Sequence, residues 1–523
     1  MQWKHIAEPI KQNAEMFPQR IALIHGDGQL TYGQLWDGIQ AWASVLRDEY
    51  GIGEGDHVAY ILPNGLDIAE LYYAVQVLGA VAVPLNGRLI AEEIATLLRL
   101  SDAKLLVYAP TVTEKIEALP WQADGAISGN RAMAQTVSSQ EIRFLAQKRE
   151  GERVPLVGGG GAWSRIQFTG GTTGIPKGAC RSHCADLFEA DSLRQMIGLG
   201  ERECETVLVQ SPVSHHGGHG WLITSLSVGA TLILCGKFDA NELLTQIERY
   251  GVTHLLIMPP TIYPRLFEAV GKEDYDLSSV RFVQTSAGLT TASINELILD
   301  RFPNAVLSYG WGQSESGAGT AVRFDRQMVR DASPVLMSIG RPMAHVEMRL
   351  VDDDGNDVAE EGIGEALLRG ATVMDGYYHL DELQSEVFTN DDWLRTGDMM
   401  RRDKEGYYYL VSRKKDMIKS GGENVFAGEV EQCLLAHPAI TDCIVFGTED
   451  AEYDETVAAV VTVKPGTEVT LAEVQDHCKA HLASYKKPRY LMVVEDFERD
   501  DAGKIRKQTI IEEFEKQKAA LQK

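Results

Sequence analysis

Between Phe168 and Gly178 the chain reads Phe-Thr-Gly-Gly-Thr-Thr-Gly-Ile-Pro-Lys-Gly, a stretch whose residue types suit the holding of phosphate. Gly170, Gly171 and Gly174 let the backbone turn sharply and come close to a ligand. Backbone N–H groups and the hydroxyls of Thr169, Thr172 and Thr173 can donate to phosphate oxygens, and Lys177 adds a point positive charge. A flexible surface loop is the plainer reading of any short Gly/Thr run. Three hydroxyls and a lysine in this order are more than a linker needs. A Walker A loop, G-x-x-x-x-G-K-[ST], does not fit, because Lys177 follows Pro176 rather than Gly and precedes Gly178 rather than Ser or Thr.

Strand-like runs, residues 165–168 and 178–181, flank the loop, and the chain before it alternates in the same way. Residues 20–24, 57–61, 81–84 and 104–108 read as strands. Thr31 reads as an N-cap ahead of a helix spaced by Leu35, Ile39 and Trp42, and 67–78 and 91–99 read as further helices. Such alternation predicts a parallel sheet with helices on its faces. Residues 111–161 are weakly patterned and are expected to form a loose approach to the loop. Beyond it, strands are expected at 205–210, 231–235, 254–258, 282–286 and 306–309, several ending in small or polar residues. Ligands bind beyond the carboxyl ends of strands in sheets of this kind. From Gly340 the segments become shorter and β-rich, and the last hundred or so residues read as a small α+β domain with a solvated helical tail, 507–523.

With 523 residues the chain exceeds one ordinary domain. A net charge of −25 disfavours nucleic acid and anionic membrane as partners, and it requires locally placed cations for any anionic substrate. Seven scattered cysteines without a C-x-x-C pair argue against a zinc site or disulfide framework and fit a reducing, cytoplasmic compartment. The N-terminus has no basic-then-apolar signal region. The apolar run 69–83 is broken by Glu70, Gln76 and Gly79, so it is expected as a buried helix and strand and not a transmembrane segment.

The loop resembles the phosphate loop of the adenylate-forming superfamily, [YF]-T-S-G-T-T-G-x-P-K-G, with Gly170 in place of the usual Ser. Matching segments recur in family order over nearly the whole chain. Ser286-Ala287-Gly288-Leu289 resembles the adenine-binding segment, and Trp311-Gly312-Gln313-Ser314-Glu315 resembles [YW]-G-x-[TS]-E. In the latter an aromatic face can stack on adenine and Glu315 is a hard oxygen ligand suited to Mg²⁺. Trp393-Leu394-Arg395-Thr396-Gly397-Asp398 resembles the segment whose aspartate accepts both ribose hydroxyls, and Arg413 matches the arginine that reaches the same ribose. Lys415 falls at the family's hinge position. Gly421 and Gly422 match the strand that lines the tunnel for the pantetheine thiol. Lys504 matches the catalytic lysine near the C-terminus, although Asp500 and Asp501 are unusual there. His215 matches P-x-x-H, which stands beside the carboxylate; His216, His219 and Trp221 are read as walls of the acid pocket or supports behind it.

The resemblance implies an α/β fold: a large N-terminal α/β domain with layered sheets and a β-rich subdomain (1–412, the AMP-binding adenylation domain), a hinge at 413–416, and a small mobile α+β C-terminal domain (417–523) carrying the catalytic lysine. It implies an AMP-forming acyl-CoA synthetase using ATP, Mg²⁺ and coenzyme A, with a small-molecule carboxylic acid as the other substrate, and it admits a homodimer. Gly217, Gly218, Gly220, Gly288 and Gly310 suggest room beyond an acetyl group, hence a medium- or long-chain fatty acid or an aryl acid. A stand-alone enzyme loading a carrier protein, a nucleotide-binding regulator without catalysis, and a luciferase-like oxygenase sharing the first half-reaction remain open alternatives.

Overall fold

The computed structural model describes residues 3–120, 134–169, 176–202, 204–260, 262–268, 271, 274–286, 290–420, 423–450, 454–499 and 505–521. These fall into two compact units. One comprises Met1–Ser333, Pro342–Glu347 and Leu368–Leu394; the other comprises Pro334–Arg341, Met348–Leu367 and Arg395–Lys523.

The first unit is built on two sheets. One runs, in spatial order, Gly317–Phe324, Val306–Gln313, Phe282–Thr285, His254–Leu256, Thr206–Val209, Thr231–Leu234, Ile21–His25 and Gly28–Thr31. The strands from Val306–Gln313 to Ile21–His25 pair in parallel, while Gly317–Phe324 and Gly28–Thr31 pair antiparallel with their neighbours Val306–Gln313 and Ile21–His25. The seven-stranded second sheet runs Gly376–Tyr377, Lys177–Ser182, Trp163–Thr169, Val81–Pro84, His57–Ile61, Leu105–Tyr108 and Gln135–Ser138. Every residue of His57–Ile61 and Val81–Pro84 is buried, as expected of strands covered on both faces. Helices Tyr32–Tyr50, Leu66–Val77 and His216–Ser227 place Trp42, Tyr73 and Leu222 in one core with Leu23 and Val58. The predicted cap at Thr31 forms a full capping box with Gln34, and Gly51 ends that helix at φ 62°.

The expectation for 111–161 needs correction. The segment includes a strand, Gln135–Ser138, that extends the second sheet in parallel beside Leu105–Tyr108, followed by a helix, Ser139–Ala146, capped by Ser138. The strand is a short edge with one buried side chain, Val137, so its apolar pattern is too thin to read.

The second unit holds a sheet in the order Val346–Val351, Ile363–Gly370, Leu394–Arg402, Tyr408–Arg413 and a five-stranded sheet built around Asp454–Val463. Helices Ala427–Leu435 and Leu471–His481 supply Val430, Leu434, Val474 and Cys478 to one core against the five-stranded sheet. The tail helix Lys507–Leu521 is not simply solvated: Phe514 is fully buried in a second core with Phe446, Val460 and Tyr490.

A closed ring of buried ionic groups ties the elements around the loop together. Arg165 and Arg181, from the strands entering and leaving the loop, are 0% exposed. Arg165 donates to both oxygens of Asp186 at 3.1 and 3.0 Å, and Arg181 Nε donates to Asp186 Oδ1 at 2.7 Å. Arg181 Nη2 donates to Glu189 Oε2 at 2.7 Å, and the helix His183–Ile197 carries both carboxylates. Glu189 Oε1 lies 2.9 Å from His216 Nε2, and His216 Nδ1 lies 2.9 Å from Arg165 Nη2, which closes the ring. Burial alone would push the Asp186 carboxyl up, but the charges of Arg165 and Arg181 hold it well below the ordinary carboxylate range. Asp186→Ala strips Arg165 of its carboxylate and should cost about 3–5 kcal/mol of stability by urea unfolding. A loss below about 1 kcal/mol would show that the ring carries little structural weight.

Candidate active site

The two loop strands, Trp163–Thr169 and Lys177–Ser182, form an antiparallel hairpin in which Thr169 stands opposite Lys177. The Thr169 hydroxyl donates to the Lys177 carbonyl at 3.4 Å, so the two ends of the predicted loop are clamped together. Gly170, Gly171, Thr172, Thr173 and Gly174 lie outside the described residues.

Glu315 sits in the turn between Val306–Gln313 and Gly317–Phe324. Trp311, Gly312 and Gln313 therefore lie within a strand, where they pair with residues 317–320 across a bulge, and not beyond its end as the sequence suggested. The Trp311 ring lies against Gly319, where a Cβ would come within 2.6 Å of it. Ser314 accepts from Arg181 Nη1 through its carbonyl at 3.4 Å, and Ala318 N–H donates to Glu189 Oε1 at 3.1 Å. The buried ring thus grips the Glu315 turn from both sides.

Tyr377, which the sequence reading did not single out, completes this corner. Its hydroxyl donates to Glu315 Oε1 at 2.9 Å, and its ring lies 5.4 Å from Lys177 Nζ. Burial and the Glu315 charge push the Tyr377 hydroxyl far up, so it remains a donor. Its strand, Gly376–Tyr377, pairs antiparallel with Lys177–Ser182, which brings lysine, tyrosine and glutamate together. Their separation along the chain hides this grouping from any local pattern.

His215 is the N-cap of the helix His216–Ser227, and its N–H donates to the Pro212 carbonyl at 3.1 Å. His216 belongs to the buried ring, while His219 and Trp221 are buried at 0% and 3% exposure. Not every glycine here makes room. A Cβ on Gly218 would fall 2.3 Å from the Pro212 carbonyl oxygen, so that glycine permits a close backbone approach. A Cβ on Gly217 would meet only the flexible end of Met258, at 3.1 Å. Ser286 donates through its hydroxyl to Met258 Sδ at 2.6 Å; Ala287 and Gly288 lie outside the described residues.

In the second unit Asp398 and Arg413 are directly paired across antiparallel strands, with Arg413 Nε 3.3 Å from Asp398 Oδ1. Asp398 is 1% exposed. Lys415 lies in the short turn Lys414–Asp416 that follows, and burial lowers its ammonium from the ordinary lysine range. Lys507 Nζ stands 3.6 Å from Asp416 and 3.5 Å from Glu431. Gly421, Gly422 and Lys504 lie outside the described residues.

A family model described as AMP-binding enzyme matches residues 10–378, and one described as AMP-binding enzyme C-terminal domain matches residues 429–504. The chain is 30% identical over 516 residues to the long-chain-fatty-acid–CoA ligase FadD13 of Mycobacterium tuberculosis, covering 98% of this chain and 99% of that one. It is 32% identical to the indoleacetate–CoA ligase of Aromatoleum aromaticum, with 97% of both chains covered. The o-succinylbenzoate CoA synthetase of Bacillus subtilis, solved with an acyl-adenylate intermediate, superposes with a TM-score of 0.81 at 26% identity, covering 96% of this chain and 97% of that one. The chain belongs to the adenylate-forming superfamily, and within it to the AMP-dependent acyl-CoA synthetases. These are acid–thiol ligases that use ATP, with CoA as co-substrate. Among the described residues, no helix is long and apolar enough to cross a membrane.

The ring determines the state of His216. Because Arg165 donates to Nδ1, the ring proton must sit on Nε2, where it is donated to Glu189. Burial first, and then the charge of Arg165, lower His216 below the ordinary histidine range against the pull of Glu189. Its ¹⁵N resonances should therefore report a neutral Nε2–H tautomer, with a titration midpoint below the window from about pH 6.5 to 8. A titration step for His216 in that window would break the ring as drawn.

Proposed function

We propose that the chain joins a medium- or long-chain fatty acid or an aryl acid to CoA through an acyl-adenylate. The observation that carries this reading is the corner at Tyr377, where the phosphate-loop lysine and the Glu315 carboxylate are brought to one side chain. The loop 169–177 holds the β- and γ-phosphates of ATP, with Trp311 and the segment 286–288 around adenine and Asp398 and Arg413 on the ribose. Glu315 suits Mg²⁺, since Tyr377 occupies only Oε1 and leaves Oε2 for a hard cation. When bound, Mg²⁺ supplies charge neutralisation at those phosphates.

The acid lies between residues 215–221 and 309–312, with His215 beside its carboxylate. The carboxylate attacks the α-phosphate, pyrophosphate leaves, and the CoA thiol then displaces AMP to give the thioester. Adenylation of this kind depends mainly on positioning and charge neutralisation. Lys504 bridges carboxylate and α-phosphate in the first step. The small domain then turns about Lys415, removing Lys504 and bringing Gly421 and Gly422 to the thiol path.

A panel of fatty and aryl acids assayed for AMP release should show turnover that requires free CoA. Sustained AMP release with a carrier protein and none with CoA would replace the synthetase reading by carrier loading. Lys504→Ala separates the two half-reactions. Losing one preorganised cation typically costs on the order of 10²–10³ in rate. The variant should fail at pyrophosphate exchange to that extent, yet convert supplied acyl-adenylate and CoA to thioester at near wild-type rate. Normal exchange in Lys504→Ala together with loss in Lys507→Ala would move the role to Lys507.

A further inference from the structure

Tyr377 reaches Glu315 from a two-residue strand, Gly376–Tyr377, that ends the second sheet and among the described residues has a neighbour on one side only. Its backbone is held by Lys177–Ser182: Asp375 N–H donates to the Cys180 carbonyl at 2.9 Å, and Tyr378 N–H donates to the Gly178 carbonyl at 2.8 Å. A strand this short frays unless its ends are tied.

Asp102 ties the exit. It stands in the turn between the helix Ala91–Leu100 and the strand Leu105–Tyr108, at φ 48°. Its Oδ2 accepts from the Tyr378 hydroxyl at 3.0 Å and from His379 Nε2 at 2.6 Å. His379 itself takes φ 56°, so two non-glycine residues in the left-handed region meet at this contact. Strain of this kind persists only where the surroundings over-determine it, and it collects at working sites. The Tyr378 ring is held as well. It packs edge-on against His57 at 5.1 Å and Trp163 at 5.9 Å, and His57 Nδ1 donates to the carbonyl of Ser101, beside Asp102, at 2.5 Å.

These contacts lead to one oxygen. Asp102 fixes Tyr378 and His379, these fix the end of the strand, and Tyr377 then keeps its 2.9 Å bond to Glu315 Oε1. A carboxylate so held presents Oε2 in one direction. With the strand end loose, the Tyr377 hydroxyl is free to leave and Glu315 is free to turn. Groups that orient a metal ligand typically govern metal affinity by about 10–100-fold. We propose that Asp102 is a positioning residue for the reaction: acting through Tyr378, His379 and Tyr377, it aims Glu315 and sets how tightly the Mg²⁺ complex of ATP is bound. The proposal rests on the reading of Glu315 as the ligand of that ion.

Calorimetry tests it with two probes: the Mg²⁺ complex of α,β-methylene-ATP, which resists cleavage at the α-phosphate, and AMP in EDTA, which binds without metal. Asp102→Gly keeps the left-handed turn and removes the acceptor. It should raise the Kd of the Mg²⁺ complex about 5-fold or more and leave that of AMP within about 2-fold. Asp102→Asn, which still offers a side-chain oxygen, should stay near wild type. Tyr378→Phe combined with His379→Gly cuts the same contacts from the other side and should match Asp102→Gly. In a Tyr377→Phe background Asp102→Gly should add nothing, because the link it acts through is gone. A merely structural role would weaken both probes alike, or lower the fraction of enzyme that binds without changing Kd. Either of those results, full addition on top of Tyr377→Phe, or an Asp102→Asn enzyme as weak as Asp102→Gly overturns the assignment and leaves the reading of Glu315 standing. A Glu315→Ala enzyme that binds the Mg²⁺ complex as tightly as wild type overturns both.

Discussion

The ring of Arg165, Asp186, Arg181, Glu189 and His216 is the constraint on which the geometry of the first unit's site depends. Its members come from the two strands of the loop hairpin, from the helix after it and from the start of the helix headed by His215. Through the Ser314 carbonyl and the Ala318 N–H it also reaches both sides of Glu315. Two guanidiniums and two carboxylates balance, with a neutral imidazole between them, so the group can be dry. Buried ion pairs are weak evidence for net stability, since desolvation offsets most of the attraction. What such a ring does supply is direction: each partner accepts one geometry, and a slipped strand would leave a charge unpaired in the core.

Gly317 shows how tightly the turn is drawn in. It adopts φ +70°, and a Cβ there would stand 3.0 Å from the Glu189 carboxylate and 3.3 Å from Arg181 Nη2. The Glu315 turn is thus seated directly on the ring, with no side chain between. Tyr377 holds the far side of the same carboxylate, so Glu315 is fixed by its backbone neighbours and by one of its own oxygens. A carboxylate held in this way has little left to arrange when a ligand arrives.

Much of this was legible in the sequence, and the exceptions have physical reasons. Buried parallel strands such as His57–Ile61 and Val81–Pro84 announce themselves as unbroken apolar runs, and Thr31 announces its helix by the hydrogen bond it offers. The loop stood out because its residue types are grouped locally: three hydroxyls, three glycines and a lysine within nine residues. The ring was missed because arginine inside a strand reads as an interruption of the core pattern. Asp186 and Glu189 did carry a signal, since residues three apart share a helix face and both were acidic. Tyr377 carried none, because only the pairing of a two-residue strand brings it to Glu315. The edge strand Gln135–Ser138 and the anchoring of the tail by Phe514 were lost for a common reason: among the described residues each buries one side chain fully, with Ile510 and Ile511 only partly buried beside Phe514.

The tail helix has a consequence for how the chain is made. One face of the five-stranded sheet gathers Ile444, Phe446, Val460 and Met492, and Phe514 is the side chain that the helix Lys507–Leu521 lays into them. All the strands of that sheet precede the helix in the sequence. Until that helix docks, the completed sheet has one greasy face still open. During that interval the nascent second unit presents the kind of surface that chaperones bind and that neighbouring chains stick to. A cut ahead of Lys507 would make that exposure lasting, and the open face would then invite aggregation.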